Sequence, residues 1–126
     1  MKKKFSLNWI GSKQPRKQRK YVKNAPLNIL KNFIRANLSK ELRQKLGKRN
    51  VGVRKGDAVK IVRGQFKGTL GKIEKVWLKR SKVYVDTVTL PKRDGSKRFY
   101  PLSTSNLQVT ELVLEDKKRK KVLERK

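Results

Sequence analysis

Cysteine and histidine are both absent from the chain. That excludes disulfides, thiolate nucleophiles, Cys/His zinc sites and imidazole acid–base chemistry, together with every Ser-His-Asp or Cys-His arrangement. Acidic residues are scarce: nine Asp and Glu stand against 37 Lys and Arg. Asp57, Glu74 and Asp86 have no clustered partner in the sequence, and no phosphate-cradling Gly-x-x-x-x-Gly-Lys-Ser/Thr loop is present. The chain is therefore expected to be no enzyme and to use no metal or cofactor. Long apolar runs are missing too. No stretch approaches the ~20 apolar residues of a membrane helix. Phe5–Ile10, interrupted by Ser6 and Asn8, is shorter than the ~7–15 residues of a signal-peptide core. A soluble, intracellular, untranslocated protein with no membrane partner is expected.

What is present is positive charge. The 126 residues carry a formal charge of +28, and charged residues make up 37%, against about 25% in ordinary domains. A free, compact monomer with this surplus would repel itself, so the composition implies a polyanionic partner. The length allows one compact domain with extensions. Charge is densest in residues 1–24, which hold nine basic and no acidic side chains. Within them, Ser12 to Lys20 shows no apolar period and cannot offset its own ordering entropy. This segment is expected to be a basic arm, disordered when free and ordered against phosphates. Lys13, Arg16, Lys17, Arg19 and Lys20 are its candidate RNA contacts.

Residues 25–50 read as two short helices. Leu27, Leu30 and Ile34 follow helical spacing after Pro26, which predicts a helix at about 26–36. Ser39 as N-cap, Glu41 in the first turn and Gly47 as C-terminal stop predict a second at 40–46. From residue 51 the period turns toward two. Strands are expected at about 57–62, 69–78, 82–90, 97–102 and 106–110, with a turn at Asp94-Gly95. Five short strands over residues 51–110 suit a mainly β fold, a small closed barrel without free edges. Val53, Val59, Ile61, Leu70, Ile73, Val76, Val83, Val85, Val88, Leu102, Leu107 and Val109 are its expected core. Residues 111–126 begin acidic and continue basic, as suits a helix dipole. With only Val122 and Leu123 as apolar support, this short C-terminal helix is expected to be marginal until docked.

The stretch from Val53 to Ile73 resembles a KOW motif. Gly56 and Asp57 make the turn into the first strand, the Asp57 side chain bonding nearby backbone. Gly64 and Gly68 allow a tight loop, and Gly71 permits a bend within the next strand. Lys60, Arg63 and Lys67, with Arg54 and Lys55, are left as a phosphate-facing surface, and Lys79, Arg80, Lys92 and Arg93 lie on other expected loops. Phe66 has two readings, stacking on an unpaired base or packing against its own loop.

The ordered series around the motif is more specific. Lys17-Gln18-Arg19-Lys20, Asn24-Ala25-Pro26-Leu27, Leu38-Ser39-Lys40-Glu41-Leu42-Arg43-Gln44-Lys45, Asp94-Gly95, Ser105-Asn106 and Leu123-Glu124-Arg125 resemble the KOW-domain family of large-subunit ribosomal proteins with universal number twenty-four, in its archaeal and eukaryotic form. The resemblance runs from Ser12 onward. Where that family usually has His-Pro, this chain has Ser103-Thr104, and its first eleven residues have no counterpart. The resemblance implies an SH3-like barrel, non-catalytic, bound as a monomer to the 5′ region of large-subunit ribosomal RNA and to neighbouring ribosomal proteins. It also implies a role early in subunit assembly, a place near the nascent-chain exit, and the cytoplasm. Two alternatives use the same charges: a transcription-associated KOW protein, which normally carries a preceding α/β domain too large for these first 50 residues, and a basic DNA-packaging protein.

Overall fold

Residues 5–125 are described by the computed structural model. After a 3₁₀ turn at Leu7–Trp9, helix α1 spans Pro15–Asn24 and α2 spans Leu27–Phe33. Pro15 occupies the first turn of α1, where its missing N–H costs nothing. This helix differs from the arm without regular structure expected for residues 1–24. Its support is aromatic: Tyr21 is buried, its ring 4.9 Å from Phe5 and 6.3 Å, edge-on, from Phe33. The Gln18 side chain also donates to the Ser12 carbonyl at 2.8 Å. One aromatic ring in a polar run makes no period, so the sequence pattern missed it.

A second difference follows at once. The helix expected to reach residue 36 ends at Phe33, and β1 spans Arg35–Leu38. Arg35 and Asn37 are exposed while Ala36 and Leu38 are buried, an alternation only a strand produces. Leu27, the first member of the supposed stripe, is 56% exposed. Helix α3 at Lys40–Leu46 matches expectation: the Ser39 side chain accepts from the Leu42 N–H, and Gly47 ends the helix at a φ of 62°.

The remaining strands are β2 (Asn50–Gly52), β3 (Ala58–Ile61), β4 (Leu70–Trp77), β5 (Lys82–Val85), β6 (Thr89–Pro91), β7 (Lys97–Phe99), β8 (Leu102–Ser103) and β9 (Leu107–Glu111), before α4 (Lys117–Glu124). Two expected strands each break in two. Asp86 and Thr87 turn the chain between β5 and β6, where the Val88 N–H bonds the Val85 carbonyl. Pro101, with no N–H to donate, separates β7 from β8.

Seven strands form one sheet in the order β2-β1-β9-β3-β4-β5-β8, and β6 with β7 makes a separate hairpin. All pairs are antiparallel except β1 with β9. The row is open among the described residues, with no ladder joining β8 to β2, so the closed five-stranded barrel expected from strand count is not what the pairing shows. The domain is small and mainly β, and β1 and β2, unread in the sequence, extend it beyond β9. Ile34, Leu38, Val59, Ile61, Ile73, Val83, Val85, Val88, Leu107 and Val109 fill the core. Leu70 does not: it is 61% exposed, on the outer face opposite Lys60, and Val76 is half-buried. Among the described residues no helix is long and apolar enough to cross a membrane.

Gly71 also meets a packing constraint that the sequence does not show. A methyl group there would lie 2.5 Å from Asp86 Oδ1, 2.5 Å from Thr87 Oγ1 and 2.6 Å from Val85 Cγ1. Those side chains are fixed: Asp86 Oδ1 accepts from the Lys72 and Thr87 N–H groups, and the Thr87 hydroxyl donates to the Leu70 carbonyl. Gly71→Ala is expected to cost about 1–3 kcal/mol by overpacking. Urea unfolding checks this, and an unchanged midpoint would contradict it.

Candidate nucleic-acid interface

The turn between β3 and β4 is built by its own backbone. The Gly68 N–H bonds the Ile61 carbonyl at 2.7 Å and the Lys67 N–H bonds the Gly64 carbonyl at 3.1 Å. Gly64 and Gly68 take φ values of 96° and 90°, a region that side chains resist. The tight loop leaves Arg63 and Lys67 exposed, and Lys60 projects from the outer face of β3. Phe66 is half-buried against the core, its ring 5.4 Å from Tyr100. The packing partner is thus the core and Tyr100, where the sequence offered only the residue's own loop.

Asp57 does more than form a turn. It is fully buried, and its carboxylate accepts from the Arg54 N–H at 2.9 Å and the Val113 N–H at 3.1 Å. It also accepts from both terminal nitrogens of Arg119, each at 2.7 Å. Arg119, on α4, donates further to the Val113 and Gly52 carbonyls. The bidentate pair ties the C-terminal helix to the turn of the KOW motif. Asp116 caps α4 by accepting from the Lys118 N–H, and it pairs with Arg54 at 2.5 Å. The hydrogen bond from Arg54 holds the Asp116 carboxyl below its ordinary value. Lys55 pairs with Glu74 at 2.9 Å. Arg54 and Lys55 are thus engaged within the chain, but through exposed pairs of the kind that salt screens readily.

Docking of α4 creates a cleft of about 600 Å³ that was not legible in the sequence. Lys31 and Arg35 line it from α2 and β1, Lys48 and Arg49 from the α3–β2 connection, and Lys118 from α4, beside Arg54. None of its described lining residues is acidic. The Lys48 ammonium also reaches the Val122 carbonyl of α4. Buried Arg119 borders the same cleft, and its Nε has no partner among the described residues. Of the residues nominated from the sequence, only Arg54 lies here.

The other nominated cations occupy separate elements. Lys13 precedes α1, where Arg16, Arg19 and Lys20 are exposed and Lys17 is half-buried. Lys79 and Arg80 lie on the 3₁₀ turn Leu78–Arg80, with the Arg80 guanidinium 4.6 Å from the Trp77 ring centroid. Lys92 and Arg93 stand in the β6–β7 turn, beside Asp94, whose carboxyl is held below its ordinary value by the Ser96 hydroxyl. The departing pair Ser103-Thr104 closes β8 and opens a 3₁₀ turn, with Thr104 buried.

The structure is thus that of a small, mainly β domain with a concave surface whose described lining residues include, besides buried Arg119, six lysines and arginines and no acidic residue. The sequence profile of the eukaryotic ribosomal proteins L26 and their archaeal L24 counterparts matches residues 12–126, and the chain belongs to that family. It is 49% identical over 115 residues to the large ribosomal subunit protein uL24 of Methanosphaera stadtmanae, covering 91% of this chain and 98% of that protein. The match begins at Ser12, where the resemblance in the sequence also begins. The chain is a structural ribosomal protein and not an enzyme. Neither the transcription-associated nor the DNA-packaging alternative draws support from these relatives.

Proposed function

We propose that the chain is a cytoplasmic constituent of the large ribosomal subunit that binds the 5′ region of large-subunit ribosomal RNA, acts early in assembly and lies near the nascent-chain exit, as a monomer among neighbouring ribosomal proteins. The observation that carries the RNA-binding part is the acid-free cleft beneath α4, in a chain of net charge +28. A concave surface of one sign focuses field and concentrates a polyanion. Lys31, Arg35, Lys48, Arg49 and Lys118 would hold phosphates there. Lys60, Arg63 and Lys67 extend the same task onto the sheet, and Lys13, Arg16, Lys17, Arg19 and Lys20 carry it along α1, whose polar faces gain full order on the RNA. Lys79, Arg80, Lys92 and Arg93 supply further phosphate contacts.

An SH3-like arrangement fits the run β9-β3-β4-β5-β8. Its two end strands, β8 and β9, are joined in sequence by the single 3₁₀ turn Thr104–Asn106, which would bend the row back on itself. Gradient fractionation of extracts from cells making the chain tests the ribosomal assignment. It is expected to travel with large subunits, and its recovery only in the soluble fraction would refute the proposal.

A further inference from the structure

A second groove, of about 990 Å³, runs over β4, β5 and β7 and differs from the first in being aromatic. Trp77 on β4 and Tyr84 on β5 stack with ring centroids 6.3 Å apart and planes inclined by 23°. Phe99, from the β6–β7 hairpin, lines the same groove. Trp77 is 36% exposed and Phe99 42% exposed, large apolar rings left in water by a chain that has few of them. The core does not need them there, since it is filled by aliphatic side chains. Exposed apolar surface rimmed by polar groups marks a binding site.

The rim identifies the occupant. Lys75 and Arg98 border the groove, Lys55 pairs with Glu74, the single acidic side chain among its described lining residues, and Arg54, itself paired with Asp116, completes the rim. Positive charge around flat rings complements a ligand that is anionic at its edges and aromatic at its centre. The Arg80 guanidinium lies over the Trp77 ring, 4.6 Å from its centroid, and brings a further positive charge beside the groove. A protein segment docking here would have to be both apolar and strongly acidic. A single-stranded nucleic acid meets both requirements with every residue, because each nucleotide carries a phosphate and a π-face.

We infer that the Trp77–Tyr84–Phe99 groove is a stacking site for unpaired nucleobases, adjoining the basic cleft beneath α4 along Val53, Arg54 and Leu78 and placed to receive a bulge or loop of the RNA. This inference rests on the RNA-binding reading above. It assigns to that reading a component that recognises single-stranded character, which phosphate contacts alone do not.

Tryptophan fluorescence reads the site directly. The chain has two tryptophans, so Trp9→Phe leaves Trp77 as sole reporter. Titration with a single-stranded oligo-uridylate is expected to quench Trp77 to saturation. In the same background Phe99→Ala is expected to weaken oligo-uridylate binding about 5–150-fold, the loss of one base–aromatic stack, while affinity for a blunt RNA duplex is unchanged. Unmoved Trp77 emission in the chain with the groove intact, with both RNAs still bound, would overturn the stacking site and leave the RNA-binding reading standing. Quenching by an acidic, apolar peptide but not by the oligonucleotide would overturn it in favour of a protein partner. Binding to neither RNA would remove the underlying reading and this inference with it.

Discussion

Arg119→Met is expected to destabilise the fold by about 3–5 kcal/mol, the cost of leaving one member of a buried ion pair without the other. The reason is specific to this site. Asp57 is fully buried, and without the guanidinium its carboxylate keeps only the Arg54 and Val113 N–H groups as donors. The lost carbonyl contacts at Gly52 and Val113 would loosen α4, leaving buried Leu123, the exposed Arg54–Asp116 pair and the Lys48 contact with the Val122 carbonyl as its ties. Thermal unfolding is expected to shift down by about 10 °C or more. Asp57→Ala should cost at least as much, since it orphans two backbone donors as well as the arginine. Asp57→Asn combined with Arg119→Met removes the charge from both sides and is expected to recover part of the loss. Additive losses in the double variant would show that the two residues do not act as a pair.

The same variant is expected to disturb RNA binding, because α4 forms one wall of the basic cleft. The larger effect on binding comes from salt. If the proposed surface neutralises 6–10 phosphates, raising salt from about 50 to about 200 mM should weaken binding to a large-subunit ribosomal RNA fragment by about 10³–10⁵. Reversing Lys48 and Arg49 to Glu should lower affinity at every RNA sequence tested and flatten the salt dependence by about one contact each. Neither residue contributes a side chain to the core, although Lys48 reaches the Val122 carbonyl, so the thermal midpoint of the double reversal must be measured alongside.

Local pattern made part of this molecule legible. The alternation of Val59 and Ile61, the glycines of the β3–β4 loop and the Ser39 and Gly47 helix ends are set by neighbours a few residues away, and each was readable for that reason. The resemblance from Ser12 onward rests on residues in order, which the family match bears out. Where two periods overlap, the reading failed: Leu30 and Ile34 suit a helix, yet Ala36 and Leu38 pair as a strand with β2 and β9. Leu70 looked like core because apolar character does not say which face of a strand it occupies. Long-range pairing was out of reach. Asp57 and Arg119 lie 62 residues apart, and nothing around either announces the other. The cleft and the aromatic groove depend on the same kind of juxtaposition, joining α2 to α4 and β4 to the distant β7.

The central claim is that the surplus of Lys and Arg is arranged to neutralise ribosomal RNA. Its most direct measurement is the slope of log affinity against log salt concentration, determined by filter binding on a 5′ large-subunit RNA fragment with duplex DNA as competitor. A slope of about −5 to −9, as 6–10 phosphate contacts along duplex-like RNA would give, with binding retained against the DNA, is the predicted result. A slope near zero, or displacement of the RNA by an equal amount of DNA, would contradict it.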